Sequence, residues 1–180
     1  MLPLPTYHFS LTPENKRGYH RRVKVTFTRT KERAYSLMIE GPKIATAVMD
    51  PAPGYHARLP HDVAHFIVEN ELGIKGGIFG QMEIGGIIRP VERKARIQRK
   101  AKRKREAIFR ANSDDALFSE HAVWAAQSRW EKQEIIPSTK IPQADLERVI
   151  AKFEEFANEW SKLPVGGSIT LEWKGKTKKR

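Results

Sequence analysis

Val23-Lys24-Val25-Thr26-Phe27-Thr28 alternates apolar and polar side chains without a break. Successive side chains of an extended chain point to opposite faces, so Val23, Val25 and Phe27 share one face and Lys24, Thr26 and Thr28 the other. The pattern predicts a half-buried strand over residues 19–30. It recurs at once: Tyr35, Leu37 and Ile39 predict a second strand over 34–40, and the short link Lys31-Glu32-Arg33 implies a hairpin. Gly41-Pro42 signals a turn, and residues 43–49 read as a third strand. The expectation is a three-stranded antiparallel meander.

Downstream, Asp50-Pro51-Ala52-Pro53-Gly54-Tyr55 is too rich in proline and glycine for either regular structure. Pro60 suits the first position of a helix, and Asp62 places a negative charge in its first turn. A helix over 60–72 should stop at Gly73. Gly76, Gly77, Gly80, Gly85 and Gly86 predict a loop with one short extended piece. Residues 91–111 hold strong helix formers and neither glycine nor proline. Asn112-Ser113-Asp114-Asp115 predicts the cap of a helix over 114–133. Pro137 and Pro142 bracket a linker. Leu146, Val149, Ile150, Phe153, Phe156, Ala157 and Trp160 follow helical spacing over 144–163. Trp124, Trp130 and Trp160 fall at apolar helix positions and are expected in the core. Ile169, Leu171 and Trp173 predict a last strand over 168–173. The order of elements gives an α+β fold: a small antiparallel sheet, built from the N-terminal meander and the C-terminal strand, with about four helices, one strongly basic.

The 180 residues suit one domain. Residues 1–18 read as an irregular lead-in, 19–173 as a single domain that includes a basic helical arm at 89–111, and 174–180 as a basic tail. The 33 Lys and Arg outnumber the 21 Asp and Glu, for a formal charge of +12. Eleven basic and two acidic residues lie between 89 and 110, five basic residues lie between 174 and 180, and the remainder is slightly acidic. A chain that is basic throughout is therefore excluded. Cysteine is absent, which removes disulfides, thiolate zinc sites and cysteine nucleophiles. No apolar run approaches the roughly 20 residues of a membrane span, and the first nine residues lack the basic start of a signal peptide. A cytoplasmic protein without membrane contact is expected. Neither G-x-x-x-x-G-K-[ST] nor a strand-borne G-x-G-x-x-G occurs.

The most chemical segment is His61-Asp62-Val63-Ala64-His65-Phe66-Ile67-Val68-Glu69. At about 100° per residue, His61, His65, Glu69 and Asp62 share one quarter of the helix, opposite Val63, Phe66 and Ile67. Histidines at i and i+4 can bring both imidazoles to one ion, as H-E-x-x-H zinc helices do. Asp62 stands where those helices carry the general base and is one carbon shorter, so it is read as a ligand or as a catalytic base. Glu83, 18 residues past His65 and after a glycine loop, is the expected third carboxylate. Glu69 lies roughly 12 Å along the axis from His61; it, His56 in the preceding loop and His121 on a later helix are the alternatives. A solvated polar face is the plain structural reading of the same stripe. If a divalent metal binds, zinc foremost, hydrolysis by metal-activated water is the default chemistry.

Three runs carry a resemblance: Met49-Asp50-Pro51-Ala52-Pro53-Gly54-Tyr55, Leu59-Pro60-His61-Asp62-x-x-His65-Phe66-x-Val68-Glu69 and Gly76-Gly77-x-Phe79-Gly80-Gln81. Together they resemble a family of small bacterial proteins of unassigned function. The His-Asp-x-x-His run is also distantly similar to ubiquinone-biosynthesis proteins with an H-D-x-x-H…E zinc motif. That likeness implies metal at His61, Asp62 and His65. The spacer to Glu83 is longer here, and Gln81 stands where the glutamate of that motif would fall.

Arg93, Lys94, Arg96, Arg99, Lys100, Lys102, Arg103, Lys104, Arg105 and Arg110 surround the predicted helix and leave only a thin stripe of Ile97, Ala101 and Ile108. Such charge density suits phosphate backbones, which makes nucleic acid a candidate partner. An acidic protein surface is the other candidate. Within the chain itself, Glu131, Glu134, Asp145, Glu147, Glu154, Glu155 and Glu159 could pair with the arm. No aromatic residue is interleaved between 93 and 105, so base stacking is not suggested. The stripe is too thin for a membrane-surface helix. Two readings follow: a metal-binding protein, in its enzymatic form a metal-dependent hydrolase, and a nucleic-acid-binding or interaction protein acting through 89–110.

Overall fold

A computed structural model describes residues 23–41, 44–84, 103, 104, 106–134 and 140–174. The alternating segments form strands β1 (Lys24–Lys31), β2 (Ala34–Gly41) and β3 (Ile44–Met49), and β4 (Ser168–Glu172) joins them in one antiparallel sheet of order β3-β2-β1-β4. The register sets Phe27 opposite Leu37 and Ile169, and Val25 opposite Ile39 and Leu171. One face therefore gathers Val25, Phe27, Tyr35, Leu37, Ile39, Ala47 and Ile169, all buried. The opposite face carries hydroxyls that pair across strands, Thr26 with Thr170 at 2.9 Å and Thr28 with Ser168 at 2.8 Å.

The buried face is covered by helices, as an α+β sequence order requires. Helix α1 (His61–Leu72) starts behind Pro60 and ends at Gly73, whose φ of 66° is the left-handed conformation glycine adopts without penalty. Helices α3 (Ser113–Trp130) and α4 (Gln143–Trp160) flank α1. Phe27 of β1 meets Phe66 of α1 and Phe156 of α4 edge-on, with ring centroids 6.3 Å and 6.1 Å apart. Trp160 stacks on Phe156 and meets Tyr35. Truncating such a fully enclosed ring costs about 3–5 kcal/mol, so these aromatics fix how α1 and α4 lie on the sheet.

Two expectations are corrected. The glycine-rich stretch contains a helix, α2 (Ile78–Glu83), in place of a loop with an extended piece. Its start at Gly77 has no capping side chain of its own. The cap comes from α1: the Glu69 carboxylate accepts the N–H groups of Ile78 at 2.7 Å and Phe79 at 2.8 Å. Glycine is required here by proximity, because a Cβ on Gly77 would lie 2.2 Å from Glu69 Cδ. Trp124 is the second correction. It is 54% exposed, whereas Trp130 and Trp160 are buried as expected. The predicted basic helix lies mostly outside the described residues, although 106–111 are helical and Asn112 separates them from α3 by donating to the Ile108 carbonyl at 2.7 Å. Among the described residues, no helix is long and apolar enough to cross a membrane.

Candidate metal centre

Helix α1 is enclosed by the sheet, α3 and α4, so its polar residues cannot all face water. Every residue from Val63 to Glu69 is buried, and His65 and Glu69 have no exposed surface. The four polar residues that share a quarter of the helical wheel are thereby driven to three different environments.

His61 and His65 remain together, with ring centroids 4.6 Å apart. The third member of the group comes from α3. One ligand atom each of His61, His65 and Glu120 lies within 4.8 Å of the others. His65 Nε2 stands 3.4 Å from Glu120 Oε2 and has no hydrogen-bond partner, although it is buried. The Glu120 side chain is 56% exposed, so the group opens to solvent on the α3 side. His61 sits at that rim. Partial burial pushes its pKa below the usual imidazole value, and the neighbouring His65 adds to the shift. Its start of the helix is held against the preceding loop, for His61 N–H donates to the Gly54 carbonyl at 3.0 Å. A Cβ on Gly54 would lie 2.6 Å from His61 Cβ, and its φ of 69° is again a glycine conformation.

Behind His65 lies a buried polar cluster. Ser119 Oγ is 3.2 Å from His65 Nδ1 and 2.8 Å from Glu69 Oε1. Glu69 is therefore occupied by Ser119 and the start of α2, and it lies on the far side of His65 from Glu120. Asp62 faces the sheet. The Tyr35 hydroxyl lies 2.7 Å from Asp62 Oδ2 and 2.6 Å from the Pro53 carbonyl, sharing one proton between them. Burial pushes the Asp62 carboxyl above the usual carboxylate range, and the Tyr35 hydrogen bond opposes part of that shift. Burial and the Asp62 charge together raise Tyr35 beyond the ordinary phenol value.

The remaining candidates are dispersed. Glu83 accepts the Trp173 indole N–H at 3.2 Å. His56 Nδ1 accepts the Leu59 N–H at 3.1 Å, and its other nitrogen is 3.7 Å from Glu131. His121 is exposed on α3 and lies outside the group formed by its neighbour Glu120. Of the nucleic-acid candidates, Arg103 and Lys104 are helical and exposed; Arg93, Lys94, Arg96, Arg99, Lys100, Lys102 and Arg105 lie outside the described residues. Lys174, the first residue of the basic tail, is tied to the domain by Glu71 at 2.7 Å.

Sequence reasoning missed Ser119 and Glu120. One signal was available: Ser119, Ala122, Val123 and Ala126 follow helical spacing on a buried face, and a hydroxyl in such a stripe needs a polar partner. Comparison with known proteins adds no further constraint, because no family model, curated protein or solved structure matches this chain.

Proposed function

We propose that this protein binds a divalent cation, zinc foremost, through His61, His65 and Glu120. The observation that carries this reading is the buried Nε2 of His65, which lacks a hydrogen-bond partner and lies beside an imidazole and a carboxylate. A buried polar atom left unsatisfied costs about 1–3 kcal/mol, and a Lewis acid at that point relieves the cost. Two imidazoles and one carboxylate form the donor set of hydrolytic zinc sites that leave a fourth position for water. Zinc held there supplies a water acidic enough to act as a nucleophile near neutral pH. The exposed Glu120 side of the group gives a substrate access, and His65, locked in the interior, supplies the rigid side. On this reading the reaction class is hydrolysis.

The test is calorimetric titration of the metal-free protein with zinc, with elemental analysis of the purified chain. The expected result is about one equivalent per chain, abolished by His61→Ala and by His65→Ala. Less than about one tenth of an equivalent, unchanged by His61→Ala, would overturn the reading.

A second reading rests on charge. Four of the seven acidic candidates have partners among the described residues: Glu154 with Arg58 and Trp130, Asp145 with Arg148, Glu155 with Lys152, and Glu131 with His56 and Gln133. We infer that the arm at 89–110 takes its counter-ions from a polyanion, with nucleic acid as the partner. Replacing Arg103, Lys104 and Arg105 by Ala should weaken salt-dependent binding to duplex DNA or RNA and flatten its salt slope by up to about 3. Unchanged binding removes this surface.

A further inference from the structure

Two hydrogen bonds run in series behind His65, and their protons can be counted. Ser119 Oγ is shared between Glu69 Oε1 at 2.8 Å and His65 Nδ1 at 3.2 Å. A hydroxyl has one proton, so it donates to one of the two and accepts from the other. Glu69 decides which. Its Oε1 also accepts the Ile78 N–H at 2.7 Å, and its Oε2 accepts the Phe79 N–H at 2.8 Å. Backbone N–H groups only donate, so both oxygens of the Glu69 carboxylate act as acceptors. An anionic carboxylate offers only lone pairs, so Ser119 gives its proton to Glu69. The serine oxygen then turns a lone pair toward His65, and the imidazole must carry its proton on Nδ1. Neutral imidazole has one N–H. Nε2 is therefore bare, and Nε2 is the buried atom beside Glu120 that lacks a hydrogen-bond partner.

We propose that Ser119 is a positioning residue which transmits the Glu69 charge to His65, holds that imidazole in its Nδ1–H tautomer, and presents the Nε2 lone pair to the space shared with His61 and Glu120. Its purpose rests on the metal-binding reading; its proton arrangement does not. Partners of this kind fix ring orientation and tautomer in metal sites and change metal affinity about 10–100-fold when removed. The relay also links two parts of the fold, because the carboxylate that sets the tautomer is the one that caps α2. The metal-binding atom and the start of α2 thus depend on one buried anion.

The experiment is nitrogen-15 NMR of the full, metal-free chain with labelled histidine, at neutral pH, with the His65 signals assigned by their loss in His65→Gln. The expected spectrum has the proton of His65 on Nδ1 and a bare Nε2. A proton on Nε2, alone or with Nδ1, overturns the relay. Zinc titration supplies the second arm. Ser119→Ala is expected to release the tautomer and weaken zinc binding about tenfold or more, while Ser119→Thr, which keeps the hydroxyl, restores both. A Ser119→Ala protein that keeps the wild-type tautomer overturns the proposal whatever its zinc affinity. A wild-type chain with the expected tautomer and no zinc binding supports the relay and removes the metal reading. Tight zinc binding by a chain protonated at Nε2 does the reverse.

Discussion

Two carboxylates flank His65, and their surroundings are opposite. Glu69 is fully enclosed and receives three hydrogen bonds, from Ile78, Phe79 and Ser119. Glu120 is largely exposed and stands at 3.4 Å from a nitrogen to which it makes no hydrogen bond. Both residues come from helices, and both approach the same imidazole. The difference separates the side of His65 that is spent on the fold from the side on which a cation is proposed to bind. A carboxylate that is enclosed and accepts three hydrogen bonds from within the fold presents no open face to a ligand. An unsaturated one beside a bare nitrogen keeps its capacity.

The comparison can be broken most strongly from the saturated side. Glu69→Ala strands two backbone N–H groups and the Ser119 hydroxyl, and each orphaned buried donor costs roughly 1–3 kcal/mol. A loss of at least about 3 kcal/mol is expected in urea unfolding; a loss below about 1 kcal/mol would mean the carboxylate does not hold α2. Zinc acts next in size, on the open side. At about a hundred times its dissociation constant it should stabilise the wild type by about 2.7 kcal/mol, seen as a shift in the unfolding midpoint that a chelator reverses. Gly77→Ala tests the closeness of the packing. Its Cβ would intrude to 2.2 Å from Glu69 Cδ, and overpacking of this kind costs about 1–3 kcal/mol. The smallest effect on stability belongs to Glu120→Gln, within about 0.5 kcal/mol in the absence of metal. The same variant should lose most of the zinc-induced shift. Equal stabilisation of Glu120→Gln and wild type by zinc would place the ion elsewhere.

The sequence was most legible where the cause of structure is local. Alternation at Val23, Val25 and Phe27 marked β1, and Pro60 and Gly73 bracketed α1 to within a residue. Helix α2 was not legible, because its cap is supplied by Glu69 from the preceding helix and glycines at 77 and 80 read as breakers. Gly80 owes its place to the Lys75 carbonyl, which a Cβ would approach to 2.0 Å. The helical wheel grouped His61, Asp62, His65 and Glu69 on one side, and two of those four stayed together. It could not show that Tyr35 would draw Asp62 to the sheet or that α2 would draw Glu69 inward. Glu120 belongs to an element 55 residues beyond His65 by number, and nothing in its own neighbourhood distinguishes it from a surface glutamate. Trp124 was misplaced for the same reason: helical periodicity identifies a stripe, and tertiary contacts decide which part of it is covered.

The sheet carries a consequence for how the chain reaches this structure. β1 is central, and its partner on one side is β4, with Thr26 and Thr170 separated by 144 positions. The hairpins β1–β2 and β2–β3 close over short loops and can form as soon as those residues emerge from the ribosome. The fourth strand is made last, so until it arrives β1 is an open edge with unpaired backbone groups. Pairings of such long separation are slow because the two ends of a long stretch of chain must be brought together before the contact forms. During synthesis the meander therefore waits, with β1 at the margin, for a segment more than a hundred residues away, and this interval is when the nascent chain is most open to pairing with another copy of itself.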